Sequence, residues 1–327
     1  MKQSTIAASP NRTAAWHSIL LQYAGLLFAL VLLVIAFSFK TNHFFSLTTL
    51  HTISNQIPDA VLLAVGMTLV MIVGGIDLSV GSVMALSGAV LGVCLVQWHW
   101  PLLPALAACL LTGGVCGLVN GLITVRWKLP SFIVTLGMLE VARGAAYLIT
   151  KSQTMYIGAS VERISSASLW GLSLPFACAI VAVIVAQFAL TRMVWGRYAM
   201  AVGANEDAVR YAGINPRPIK VAAFTLSGLL AACAAVLQCA RLSSADPNAG
   251  TGAELQAIAA CVIGGTSLLG GRGSIISTFF GVLLIAVLGA GLAQIGAQEP
   301  TRRIVTGCVI LAAVILDVYR ARLASEK

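Results

Sequence analysis

The sequence predicts an all-α, polytopic integral membrane protein with about ten transmembrane helices and both termini in the cytoplasm. Three observations carry that prediction. Charged residues make up 9% of the 327-residue chain and hydrophobic residues 59%, whereas a soluble domain is about 25% charged. Mean hydropathy is +0.94. The apolar residues also gather in runs of about 20, the length that crosses a hydrocarbon core as a helix, and short polar turns separate the runs.

Residues 1–18 read as a cytoplasmic tail. Lys2 and Arg12 precede the apolar run 19–39, which resembles a secretory signal only superficially. It is longer than a signal core, and the Lys40-Thr41-Asn42-His43 that follows offers no small-residue cleavage site. A retained first helix is expected. The remaining spans are expected at 58–74, 78–96, 102–125, 131–150, 172–191, 221–240, 255–270, 274–293 and 303–318. The connections at 75–77 and 271–273 are so short that the spans beside them must be tight hairpins or broken helices. The transmembrane domain is thus expected over 19–318, with a polar loop at 192–220 inside it and a short cytoplasmic tail at 319–327. That tail is too short for a fused nucleotide-binding domain.

Sidedness follows from counting basic residues. With both ends inside, thirteen Lys and Arg fall on cytoplasmic segments and six on outer ones, and Arg143 lies within the fifth span. Merging or splitting one span would invert every later loop and spoil this asymmetry. The net charge of +9 therefore speaks for membrane orientation, and no nucleic-acid partner is expected. Gly113, Gly117 and Gly121 recur every fourth residue in the fourth span, which lets another backbone approach closely. The eight cysteines all lie in apolar runs without a CxxC pair. They read as small buried hydrophobes, and the four scattered histidines suggest no metal site.

The loop 192–220, RMVWGRYAMAVGANEDAVRYAGINPRPIK, is the longest polar stretch. Asn205 is placed to cap a short helix, and Glu206 and Asp207 follow where the helix dipole favours negative charge. Gly213 can take the left-handed conformation that ends the helix, and Pro216 and Pro218 stop it from resuming. A bounded helix at a membrane surface reads as a docking element.

Within the spans, Asp77 stands in GGIDLSVGS at 74–82. An ionisable group between apolar runs is a candidate site residue. The simpler reading makes Asp77 a helix cap at the cytoplasmic interface, with Gly74 and Gly75 turning the chain and Ser79 and Ser82 assisting. Glu140 and Arg143 are three apart on one helix face, placed to neutralise each other as a structural pair or to serve translocation. Asn120 is expected to hydrogen-bond a neighbouring helix.

GGTSLLGGRGS at 264–274 has the glycine spacing of a phosphate loop. It puts Gly271-Arg272 where Lys-Ser/Thr is required, which argues against ATP binding by this chain. No pattern of an intramembrane enzyme is present. The scarcity of intramembrane carboxylates argues that the driving energy comes from a separate motor. The rival is an ion-coupled secondary transporter of a small polar solute.

GGIDLSVGS at 74–82, Arg143-Gly144, GRYAMAVGANEDAVRYAGI at 196–214 and ARLSSADPNAGTGAELQAIAACVIGGTSLLGG at 240–271 together resemble the permease subunits of bacterial sugar ABC importers, most nearly the ribose-type permeases. The likeness runs in order from about residue 40 to 320. It implies a non-catalytic inner-membrane subunit that passes a monosaccharide, a pentose such as ribose, by alternating access. It implies as partners a cytoplasmic ABC ATPase that holds the ATP and Mg, a periplasmic sugar-binding protein and a second permease copy or paralogue. No cofactor is expected on this chain itself. The resemblance further implies that Gly203, Asn205, Arg210, Gly213 and Ile214 form the element that seats in the ATPase. The chain departs from the family pattern at Glu140, and the outer loop 151–171 is compact.

Overall fold

A computed structural model describes residues 12–41, 44–158, 161–162, 168–169 and 172–325. Most of the expected N-terminal tail and the last two residues of the C-terminal one therefore lie outside the described residues, as does much of the outer loop 151–171. Helices α1 (Arg12–Lys40), α2 (Leu47–Gln56), α3 (Pro58–Ile72) and α4 (Val80–Gly92) open the chain, and α4 runs on as one wider turn over Val93–Gln97. Then come α5 (Leu102–Trp127), α6 (Ser131–Thr150) and α7 (Leu174–Arg192). The polar loop carries α8 (Val194–Ala204) and α9 (Glu206–Tyr211). The last four are α10 (Arg217–Leu242), α11 (Ala253–Ile263), α12 (Ile275–Gln294) and α13 (Glu299–Ser325). Two-residue strands β1 (Met155–Tyr156) and β2 (Ser244–Ala245) pair antiparallel.

The architecture is all-α and polytopic. Among the described residues, seven helices are long and apolar enough to cross a membrane, and an eighth if α2 and α3, bent by 48°, act as one span. Two of the ten expected spans, 255–270 and 303–318, fall outside that set. The first is α11, whose 11 residues rise only ~16 Å as a helix. The second lies within α13.

α3 occupies the centre. Every residue of it except Ala60 is buried, as befits a helix apolar on all sides. α7, α10, α11 and α12 pack around it. On its far side α10 lies against α5, and the expected glycine stripe explains how. Gly113 and Gly117 meet the backbone carbonyls of Gly228 and Phe224, and a Cβ at either glycine would overlap those oxygens. The cysteine expectation needs one correction: Cys178 and Cys308 are exposed, because α7 and α13 turn them outward.

Candidate functional site

Between α3 and α4 the helical ladder breaks over residues 73–79, and every donor freed there would be costly at bilayer depth. The chain answers locally first. Gly74, at φ +76°, and Gly75 donate back to the carbonyls of Met71 and Val70, both at 2.9 Å. The first turns of α6 then clasp the break: Ile76 N–H donates to Ser131 Oγ (2.9 Å) and Leu78 N–H to Thr135 Oγ1 (3.0 Å), while the Thr135 hydroxyl donates to Ile76 O (3.2 Å). Finally Ser79 donates to Asp77 Oδ1 through both its N–H (3.0 Å) and its hydroxyl (2.6 Å).

Asp77 is 1% exposed. Its second oxygen accepts the Ser227 hydroxyl from α10 at 3.0 Å, and Asn120 of α5 donates to Ser79 Oγ at 2.9 Å. Ser227 lies ten residues into α10 and Asn120 seven residues before the end of α5, so the cluster sits ~10–15 Å inside those helix ends. The cap expected of Asp77 at the cytoplasmic interface is therefore found in a buried setting. The carboxylate does take an N–H of the break, but it does so in the packed interior, and Ser82 Oγ makes no bond there. Asn120 bonds across helices as expected.

The second irregular stretch leaves α10 at Ser243 and runs along α4. Ala245 meets Gly92, and Gly250, at φ +68°, meets Gly81. Those glycines are eleven residues apart, so the stretch descends ~16 Å along the helix before α11 begins. Arg143 holds it in place, donating from Nη1 to Pro247 O (2.7 Å) and Ala249 O (2.8 Å), and Tyr147 donates to Asn248 Oδ1 at 2.8 Å. The expected Glu140–Arg143 pair does not form. Arg143 satisfies backbone carbonyls that would otherwise be stranded at bilayer depth, and Glu140, midway along α6, is exposed. Asn248, Thr251 and Gln256 are exposed as well. α6 and the descending stretch therefore present polar groups at a depth where lipid would penalise them.

At the end assigned to the cytoplasm, the predicted capped helix is present as α9. Asn205 Oδ1 accepts Ala208 N–H at 2.9 Å, and Gly213, at φ +81°, ends the helix. Glu206 binds Arg210 at 2.9 Å and also the Lys220 ammonium. Partial burial pushes the Glu206 carboxyl up, but Lys220 and Arg210 outweigh it and hold it below its ordinary value. Asn205, Arg210 and Gly213 are exposed, Ile214 is half-buried and Tyr211 is 91% exposed. Gly203 differs from the rest. It is wedged against Ile72 O and Gly271 N, which are themselves bonded at 2.9 Å. It locks α8 to the end of α3 and to the loop 264–274.

Several contributors were not singled out in the sequence. Ser131, Thr135 and Ser227 look like ordinary helix residues until the break at 73–79 meets them. Asp59, buried in the first turn of α3, pairs with Arg241 at 2.8 Å. The position of a carboxylate inside the expected span 58–74 was a signal for it. Gln187 of α7 accepts Ile275 N–H at 2.9 Å and so caps α12 from a distance.

The family described as branched-chain amino acid transport system / permease component matches residues 49–314. The chain is 39% identical to the ribose import permease protein RbsC of Escherichia coli (strain K12), covering 97% of this chain and 99% of that one. It is 34% identical to the fructose import permease protein FrcC of Rhizobium meliloti, over 91% and 86% of the two chains. It is 33% identical to the L-arabinose ABC transporter permease protein AraH of Azospirillum brasilense, over 97% and 93%. No solved structure matches it.

Proposed function

The chain belongs to this permease family, in its ribose-type sugar branch, and from that premise we propose that it is the membrane subunit of an ATP-driven importer for a monosaccharide. Ribose or a similar pentose is the proposed cargo, since the ribose permeases are among the relatives that match nearly the whole chain. The chain would hydrolyse no ATP itself. A separate cytoplasmic ATPase would drive it, and a periplasmic binding protein would deliver the sugar. The inner membrane of a bacterium is the corresponding location.

The observation that carries this reading is the polar face at bilayer depth. Irregular backbone and an exposed carboxylate are tolerated there only against protein or water. A second permease copy or a paralogue facing α6 would enclose an aqueous path lined by Glu140, Tyr147, Asn248, Thr251 and Gln256. These side chains offer the hydrogen-bonding groups that sugar hydroxyls need. Accessibility tests this directly, with Cys178 and Cys308 first replaced by serine because they are exposed. Glu140→Cys in the assembled transporter should react with a charged, water-soluble maleimide. Ile184→Cys, 61% exposed on α7 and away from the proposed path, should not. Equal labelling of the two would remove the pathway assignment.

α9 is proposed to seat in the ATPase. Replacing Asn205 and Gly213 together by leucine should lower sugar uptake by about tenfold or more while membrane insertion and sugar-independent ATP hydrolysis persist, because the cap alone contributes ~1 kcal/mol to a very short helix. Normal uptake would refute the docking role. Reconstitution decides between this function and ion-coupled transport. Uptake must require ATP, the ATPase and the binding protein; uptake by this chain alone on a proton or sodium gradient would overturn the importer.

A further inference from the structure

A cavity of about 280 Å³ opens beside the break at 73–79, walled by Gly75, Thr124, Lys128, Ser131, Lys220 and Phe224. Its chemistry suits an anion. Ser131, the first residue of α6, stands in its wall. That first turn has no side-chain cap and no acidic residue. Since Ile133 and Val134 N–H donate to Pro130 O, the N–H groups of Ser131 and Phe132 and the positive helix end are available. Thr124 is 9% exposed and its hydroxyl has no hydrogen-bond partner among the described residues, so the wall carries a buried polar group free to bond. Lys128, held at φ +53° where α5 ends, is exposed and forms no ion pair among the described residues. Lys220 is engaged by Glu206, but an ammonium carries three donors. Two acids lie close by and neither is in the cavity wall: Glu206 is paired with Lys220, and Asp77, buried within the break, is bonded to Ser79 and Ser227. The carbonyl ends of α3 and α5 also reach the cavity, and those of Val70 and Met71 are spent on Gly75 and Gly74.

We propose that this cavity is a binding site for a phosphoryl anion, supplied either by an anionic lipid headgroup or as free phosphate. The rim favours the lipid. Trp127, Leu129 and Phe132 are 64%, 44% and 49% exposed beside Lys128, the arrangement of an aromatic and apolar border at a membrane–water interface. Through Lys220 the bound headgroup would touch the ion pair that holds α9. The site would thus connect lipid composition to the docking helix. Binding itself does not depend on what the chain transports.

The test uses the full-length chain in detergent micelles containing equal phosphatidylglycerol and phosphatidylcholine, read by native mass spectrometry. A parallel arm adds inorganic phosphate alone and reads the thermal unfolding midpoint. Wild type should retain phosphatidylglycerol at least threefold over phosphatidylcholine. Lys128→Gln and Thr124→Val should each reduce that preference, whereas Lys151→Gln, an exposed lysine ending α6 in the same backbone conformation, should leave it intact. A midpoint raised by inorganic phosphate in wild type, and not in Lys128→Gln, would assign the site to free phosphate and also support it. Lys128 is exposed, so Lys128→Gln should fold normally. The proposal is overturned if neither probe binds, if both cavity variants behave as wild type, or if Lys151→Gln loses the preference equally.

Discussion

Asp77→Ala is expected to destabilise the purified chain by about 2–4 kcal/mol. The substitution removes the acceptor for three donors at once: Ser79 N–H, the Ser79 hydroxyl and the Ser227 hydroxyl. Each buried donor left unsatisfied costs about 1–3 kcal/mol. Interhelical hydrogen bonds within membranes average only about 0.6 kcal/mol, because the unfolded chain in lipid finds other partners. That lower value sets the bottom of the range. The upper part applies because the break at 73–79 has no helical ladder to fall back on, and Asn120 loses its fixed partner when Ser79 turns away. The thermal unfolding midpoint should fall accordingly. Asp77→Asn, which keeps an acceptor for Ser79, should lose less than half as much, and Ser227→Ala about 1 kcal/mol. An Asp77→Ala chain that melts with wild type would mean that the cluster does not hold α4, α5 and α10 together.

Gly203→Ala should nearly abolish transport, although it adds a single methyl group. That methyl would overlap Ile72 O and Gly271 N. Neither atom can yield freely, because they form the hydrogen bond that ties the end of α3 to the loop 264–274. Gly270 and Gly271 press on the same junction from the other side, at positive φ and within contact of Gly74 and Ala204. The backbone of α8 must therefore move outward, and α9 with it. Overpacking of this kind costs about 1–3 kcal/mol in a close-packed interior. Insertion should survive, while uptake in the reconstituted assembly should fall by about tenfold or more if α9 must keep its position to transmit force. Gly213→Ala, at an exposed position with nothing nearby, should show only the milder strain of a positive φ. Equal transport by Gly203→Ala and wild type would show that this junction is not rigid.

The two substitutions mark where reading the chain succeeded and where it stopped. α9 was legible residue by residue: Asn205 caps it, Glu206 and Asp207 follow, and Gly213 ends it. Each of those effects acts within one helical turn. The glycine stripe of α5 was legible for the same reason, since a four-residue spacing is visible without knowing the partner helix. Gly203 was recognisable as part of the polar loop 192–220, but its contact with Ile72 spans more than a hundred positions and leaves no local trace. The Glu140–Arg143 pair failed in an instructive way. Spacing permits the contact, yet Arg143 has carbonyls at 247 and 249 within reach. Leaving those unpaired at bilayer depth costs more than leaving a carboxylate exposed on the surface of α6.

The sequence by itself determined that this is an all-α membrane protein, where most of its helices run, and how the short helix α9 of its polar loop is capped. Hydropathy, helical period and capping are short-range free-energy terms and can be read in a window of a few turns. Only the tertiary structure decided that Asp77 is buried and bonded to Ser227 of α10. It alone showed that the stretch before α11 descends along α4, and that a polar face is left open on α6. Those outcomes depend on which distant residue reaches a stranded polar group first. Ser227 reaches Asp77 from 150 positions away, and Arg143 reaches Pro247 from 104. Packing brings such pairs together, and the need to satisfy every polar group in hydrocarbon selects among them.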